Sequence, residues 1–513
     1  MSHIEGELSS PARFRILDLF AGPGGLDVAA DVLGHQITGI EWDAGACATR
    51  SVAGMDTFRG DVRQYRAAFF PHAQVLTGGP PCQTFTVAGH GAGRRALDQV
   101  VRYIDQLHKV VRRENPDWME IFRTWRKITE ELRRKEIEAK EVRAAKREVE
   151  ELRTTKRKAL RTRLEQLGHS TNEVKSLLKQ LKTPQILDFS DAELKGMLKE
   201  FSDLSEEIKK LRLQLEELGD ERTGLVLQPL WWVIERSRRP GLVPYEAVVL
   251  EQVPAVMPVW KEYAKVLASL GYRTGRQLMH TEEFGVPQTR RRAVLMARFD
   301  PTAAPNTLAT DLLPKAPTTH ERYRPGGLSV QSPKTGHADT LPLGDVKDSC
   351  VSMENALEVA RGIKTDLPAR PAFTVVSNYG TGGDPEARGR RDHDVPSATI
   401  TGKVSRNRLV HKGTDDDLAE FDRFTHAEAG VLQTFPARYP WQGNDVPQQI
   451  GNAVPPRLAL HVLRHVLEPE LSPDEIKDRM KRAVENLLAW KRPAEPVEIR
   501  RHRGLKGHPL TGM

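Results

Sequence analysis

Cysteine is scarce in this chain. Three residues in 513, Cys47, Cys82 and Cys350, exclude a disulfide-stapled scaffold and fit a reducing compartment. No CxxC or similar ligand spacing occurs, so no metal site is expected. Long apolar runs are also missing: none approaches the roughly 20 residues that cross a bilayer, and Met1 to Ser10 holds no apolar signal core. The expectation is a soluble, cytoplasmic protein with no membrane contact. A strong excess of one charge is lacking as well, with 77 Lys+Arg against 69 Asp+Glu and a net charge of +8. That mild excess fits a polyanion partner, and it fits ordinary solubilising charge equally well. The length calls for two to four domains.

What is present begins with an α/β signature. Phe14 to Phe20 reads as a buried strand, Ala21-Gly22-Pro23-Gly24-Gly25 as a glycine-rich turn, and the residues to about Leu33 as a helix. Such a turn lets the backbone approach a cofactor at a helix N-terminus. The next strand, Gln36 to Ile40, ends in Glu41-Trp42-Asp43. An acid at that tip suits ribose hydroxyls, and Trp42 suits an adenine face; a solvated loop acid and a core tryptophan are the plain alternative. Asp61 follows in Gly60-Asp61-Val62, positioned to accept from an adenine amino group. Ala73 to Leu76 is a further short strand, ending in Gly78-Gly79-Pro80-Pro81-Cys82-Gln83-Thr84-Phe85-Thr86. A cysteine there stands at the strand end where open α/β sheets bind ligands, although a lone cysteine also serves as a small core hydrophobe.

Pro-Pro-Cys-Gln-x-Phe-Thr resembles the catalytic motif of the DNA cytosine methyltransferases that act on carbon 5. Asp18-Leu19-Phe20-Ala21-Gly22, Glu41-Trp42-Asp43 and Gly60-Asp61 resemble that family's S-adenosylmethionine site, in the same order. Later stretches continue the match: Glu251-Gln252-Val253, where the family carries Glu-Asn-Val; Gln288-Thr289-Arg290-Arg291-Arg292; Leu432-Gln433-Thr434-Phe435-Pro436; and Gly451-Asn452-Ala453-Val454-Pro455-Pro456. The resemblance implies a Rossmann-like, S-adenosylmethionine-dependent catalytic domain and a smaller target recognition domain. It implies a cofactor site of Phe20, Gly22, Gly24, Glu41, Trp42, Asp61, Pro81, Asn452 and Ala453. It further implies catalysis by Cys82, Glu251, Arg290 and Arg292, with double-stranded DNA contacted by Gln83, Thr86, Gln288, Arg388 and Arg390. Cys82 would add to carbon 6 of a flipped cytosine, Glu251 would hold N3, Arg292 would bind O2 and Arg290 would steady the loop. A modification enzyme of a restriction or phage-defence system, nucleoid-associated, is the functional expectation. An inactive scaffold and a tRNA methyltransferase are its rivals.

Between Asp117 and Leu218 the composition turns to Glu, Lys, Arg and Leu. Ile121, Trp125, Ile128 and Leu132, and then Phe201, Leu204, Ile208, Leu211, Leu215 and Leu218, recur at heptad spacing. An antiparallel coiled-coil arm is expected, broken at Gly168-His169-Ser170 and Thr183-Pro184, with a first helix of about 50 residues and ~75 Å. It suits a protein partner, self-association or DNA; a tolerated insertion with a solvated charged face is the alternative. The expected segments are a catalytic part 12–90, the helical insertion 91–219, a second catalytic part 220–300, the recognition domain 301–440, a closing segment 441–470 and a C-terminal helix and tail 471–513. The basic stretch Arg500 to Lys506 reads as disordered and free to touch phosphate.

Overall fold

Alternating short apolar runs and turns set the strand pattern. A computed structural model describes residues 13–81, 92–174, 192–218, 223–304, 306–325, 347–377 and 389–501. The chain divides into two compact units, one of Met1–Cys82, Ile104–Ile121 and Leu225–Met513, the other of Gln83–Tyr103 and Phe122–Gly224.

The first unit is built on strands β1 (Arg15–Leu19), β2 (Gln36–Glu41), β3 (Asp56–Arg59) and β4 (Val75–Gly78), with helices α1 (Gly25–Val32) and α2 (Ala44–Val52) between them. Helix α3 (Ala92–Val111) follows, and then α4 (Trp118–Gln166), α5 (Ala192–Leu218), α6 (Thr223–Val226) and α7 (Gln228–Arg238). The sheet resumes with β5 (Ala247–Gln252), helix α8 (Met257–Ser269), β6 (Tyr272–His280), the two-residue β7 (Gln288–Thr289) and β8 (Arg291–Phe299). Seven strands make one sheet in the order β3-β2-β1-β4-β5-β8-β6. β1 to β5 run parallel, and β8 is antiparallel to β5 and β6. Ala247, Val248, Val249 and Leu250 are all buried, as expected for a strand covered on both faces. Gly78 pairs with Leu250, so strands far apart in sequence end side by side.

Beyond β8 come α9 (Met353–Ile363), β9 (Phe373–Val376), β10 (Arg390–Asp392), β11 (Ser397–Ala398) and β12 (Arg408–His411). β10-β9-β12 is a small antiparallel sheet over a core that includes Phe373, Ile400, Leu409 and Phe424. Helices α10 (His426–Leu432) and α11 (Val446–Asn452) add Ala429, Leu432, Val446 and Ile450 to that smaller core, and α12 (Pro456–Leu467) and α13 (Pro473–Ala489) close the chain onto the large sheet. Leu458, Leu463, Met480 and Leu487 join its main core.

In the second unit α4 and α5 lie antiparallel. Lys156 meets Glu200 at 2.5 Å, Arg163 meets Glu193 at 3.0 Å and Arg212 meets Glu150 at 3.7 Å. Leu160, Leu164, Val174, Leu194 and Phe201 form a core between them. The expected break at Gly168 is present, with φ +91°; Thr183-Pro184 lies outside the described residues.

Two expectations change. Ile104–Ile121 belongs to the first unit, not to an insertion beginning at 91, because Leu107, Val111 and Ile121 are buried and His108 Nε2 shares a 2.8 Å hydrogen bond with Ser269. The C-terminal stretch is not free at its start. Arg500 N donates to Thr57 O and Arg59 N to Arg500 O, both at 2.9 Å, while the Arg500 guanidinium pairs with Asp56 and lies 4.1 Å from the Phe58 ring centre. Edge strands gain stability when their open backbone groups are covered, and this strap covers β3. Among the described residues no helix is long and apolar enough to cross a membrane.

Candidate functional site

The glycine-rich turn between β1 and α1 has left-handed φ at Phe20 (62°), Gly22 (55°) and Gly24 (103°). A Cβ on Gly24 would meet Met55 Sδ at 2.2 Å, whereas a Cβ on Gly22 would meet nothing within 4 Å. The space over Gly22 is therefore open, while the turn beneath it is tightly packed. Glu41, at the end of the neighbouring β2, accepts from Gly22 N and from Asp43 N at 2.7 Å each. Burial nevertheless raises its pKa. Trp42 beside it is 68% exposed, a large indole face left open at the strand tip. Asp61 caps a short turn and holds Arg63, with a closest contact of 2.6 Å. These groups suit a nucleoside: an open glycine turn, a carboxylate with spare lone pairs and a free aromatic face.

Under the turn lies a buried charge cluster that sequence patterns did not single out. Arg50 donates to both oxygens of Asp27, at 2.8 and 2.5 Å, and to Thr57 Oγ1 at 2.8 Å. Asp18 accepts from Thr77 Oγ1 at 2.7 Å, and burial and then Asp27 push its pKa well up. Tyr439 donates from its hydroxyl to Pro23 O. Of these charged residues only Asp18 lies in a quoted motif, and nothing in the sequence tied Asp27, Arg50 or Tyr439 to it.

Cys82, Gln83, Thr86 and Arg388 lie outside the described residues. The stem leading to Cys82 is described. A Cβ on Gly79 would lie 3.7 Å from Glu251 Oε2, and Gln252 Nε2 donates to Pro80 O at 2.5 Å while its Oε1 accepts from Val253 N at 2.6 Å. The longer glutamine, where the related motif has asparagine, thus ties the stem to β5. Pro81 is half-buried. Glu251 Oε1 lies 2.5 Å from Arg292 Nε as a charge contact without the alignment of a hydrogen bond. Burial raises the Glu251 pKa despite Arg292 and Arg290 nearby, and burial lowers that of Arg292. Desolvation outweighs the attraction in both partners. The result is a carboxyl whose pKa lies above its ordinary value.

Arg290 is buried and donates to Ile400 O and Gly451 O at 2.9 Å and to Ala453 O at 3.4 Å. Gln288 was expected at DNA; instead it is fully buried. Its Nε2 donates to Gln433 Oε1 at 3.0 Å and Leu432 O at 3.3 Å, and its Oε1 accepts from Ile400 N at 2.8 Å. Each polar atom of its amide is engaged inside the protein, so this residue acts as a brace. Ala453 is buried, and exposed Asn452 accepts from Gln448 Nε2 at 2.8 Å. Arg390 is exposed on β10 and pairs with Asp415 at 2.7 Å. The two other cysteines are no rivals for a thiolate. Burial pushes Cys47 up to about 12 and Cys350 up to about 11. Among the described residues no cluster suited to a metal ion occurs.

The profile of the family described as "C-5 cytosine-specific DNA methylase" matches residues 14–119 and 246–468. The sequence is 36% identical over 93 residues to Type II methyltransferase M.AplI of Arthrospira platensis, covering 18% of this chain and 27% of that protein. It is 27% identical over 221 residues to Type II methyltransferase M1.HphI of Haemophilus parahaemolyticus, covering 40% and 51%. The matches therefore span between about a quarter and a half of these two relatives. Among solved structures, S. pombe Dnmt2 methyltransferase matches at 13% identity and a TM-score of 0.42, over 90% of this chain and 100% of that one.

Proposed function

The chain belongs to the C-5 cytosine-specific DNA methylase family, and from that premise we propose that it methylates carbon 5 of a cytosine in a specific duplex DNA sequence, as the modification enzyme of a restriction-modification system. The observation that carries this reading is the pairing of β4 with β5, which sets the stem of the Cys82 loop against Glu251.

Gly22, Glu41 and Trp42 would hold S-adenosylmethionine, which would supply an electrophilic methyl group. The target base is out of reach inside the stack and is flipped out, for a few kcal/mol of lost pairing and stacking. The Cys82 thiolate attacks carbon 6 and forms a C–S bond, so electron density moves to carbon 5. Glu251, whose pKa burial raises, would donate its proton to N3 and stabilise the enamine. Arg292, lodged against Glu251, contributes a positive charge beside the ring. Carbon 5 would take the methyl group as the sulfonium–methyl bond breaks and the neutral thioether leaves; loss of the carbon-5 proton to water, cleavage of the C–S bond and return of the N3 proton to Glu251 would then restore the thiolate and the acid. Gln252 holds Pro80 and limits the swing of the stem.

Bisulfite sequencing of DNA from cells expressing the protein tests the reading. Protected cytosines at one recurrent sequence are expected, and Cys82→Ser should remove them while DNA binding persists. Full protection by Cys82→Ser would discard the covalent route.

A further inference from the structure

Charge is distributed unevenly along α4. Residues 130–151 mix eight acids with seven bases, whereas residues 152–164 hold Arg153, Lys156, Arg157, Lys158, Arg161 and Arg163 and no acid. The helical pairing accounts for only part of this set. Lys156 and Arg163 reach Glu200 and Glu193 on α5. Arg153 donates to Ser205 Oγ at 2.9 Å and lies 4.6 Å from the Phe201 ring centre. Arg157, Lys158 and Arg161 are on the exposed side. Arg157 and Lys158 have no acidic partner among the described residues, and Arg161 has only Glu165 one turn on, at 2.9 Å.

The residues between them are also unusual for a solvated helix face. Thr154, Thr155 and Thr162 are exposed and turn their hydroxyls back onto Glu150 O, Glu151 O and Lys158 O. They leave a low, uncharged surface around the three long cations. An arm that needed only stability would gain more from the alternating charges of its first half. Here like charges crowd together instead: burial and then the neighbouring Arg157 and Arg212 work against the charge on Arg153. A polyanion relieves such crowding. Arg157 and Arg161 are about 6 Å apart along the helix, and duplex DNA carries a charge about every 1.7 Å of its axis, so each cation finds a phosphate without any base being read.

We propose that the face of α4 carrying Arg157, Lys158 and Arg161 is a sequence-independent binding surface for the phosphate backbone of duplex DNA, distinct from base recognition. The inference rests on duplex DNA being the substrate.

The test is fluorescence anisotropy of the full chain on target and random duplexes between about 50 and 200 mM salt. The variant Arg157→Ala/Lys158→Ala/Arg161→Ala should lower the slope of log K against log salt by roughly 2 to 3, at ~0.9 per lost phosphate contact. Both duplexes should weaken by the same factor, with methyl transfer on saturating target DNA unchanged, which also shows that the variant folds. Arg133→Ala/Arg134→Ala/Lys140→Ala removes the same charge from the balanced half and should leave the slope alone. An unchanged slope in the first variant, or equal losses in both, overturns the proposal. If the parent chain methylates no duplex yet the two slopes separate as stated, the surface stands and the methylase reading falls.

Discussion

At the level of a single residue, Glu251 links burial to the proposed chemistry. Its carboxyl pKa is raised by desolvation although Arg292 lies 2.5 Å away. Burial shifts its titration upward, so its contribution to stability is full below the ordinary value of 4.5 and fades as pH rises through the raised value. Methyl transfer should decline over that same rise if the proton is used. Glu251→Gln keeps shape but cannot give up a proton, and turnover on a hemimethylated duplex should fall by ~10²–10⁴. A turnover within a factor of two of the parent would reject the role. Asp27 is the opposite case. It is the buried counter-charge of Arg50, with two hydrogen bonds. Asp27→Ala strands that guanidinium and should destabilise the chain by about 3–5 kcal/mol in urea unfolding.

Elements carry the next level of argument, and the brace between β7, β11 and α11 is the clearest. Gln288 holds Ile400 by its N–H and Arg290 holds the same residue by its carbonyl. A Cβ on Gly451 of α11 would lie 2.1 Å from Gly402 N and 2.3 Å from Thr401 C. Backbone meets backbone there, with no side chain able to yield. Gly451→Ala should push α11 away from this turn, raise KM for the cofactor and for DNA together, and lower the melting temperature; unchanged values of all three would show the approach to be slack. Much of the element layout was legible in sequence. The apolar run Phe14–Phe20 and the heptads from Phe201 announced their strand and helix. The brace was not legible, because Gln288 and Gln433 meet across 145 residues and a solvent-facing glutamine has the same local pattern as a buried one. For the same reason Arg500 read as tail: its partners, Asp56 and Phe58, lie at the other end of the chain.

For the whole molecule, buried histidines set the acid limit. Burial lowers His35 and His320 from 6.5 to about 4 and His461 well below its ordinary value. A depressed histidine contributes stability above its unfolded value, and that stability is lost as pH falls toward the folded one. The melting temperature should therefore hold near neutrality and drop from pH 6.5 toward 4, with a shallower drop in His320→Gln; a flat profile across that window would refute the assignment. The seven-stranded sheet has a last implication. β4 and β5 are adjacent, yet the residues between them include an antiparallel helical pair whose two members are knit by their own ion pairs. A protein nicked between Val174 and Ala192 would thus leave each fragment with one strand of that junction and one helix of that pair. Two polypeptides, each holding half of the proposed site, would have both a zipper and a seam by which to reassemble, making the arm a natural place to divide the chain into a two-part, inducible device.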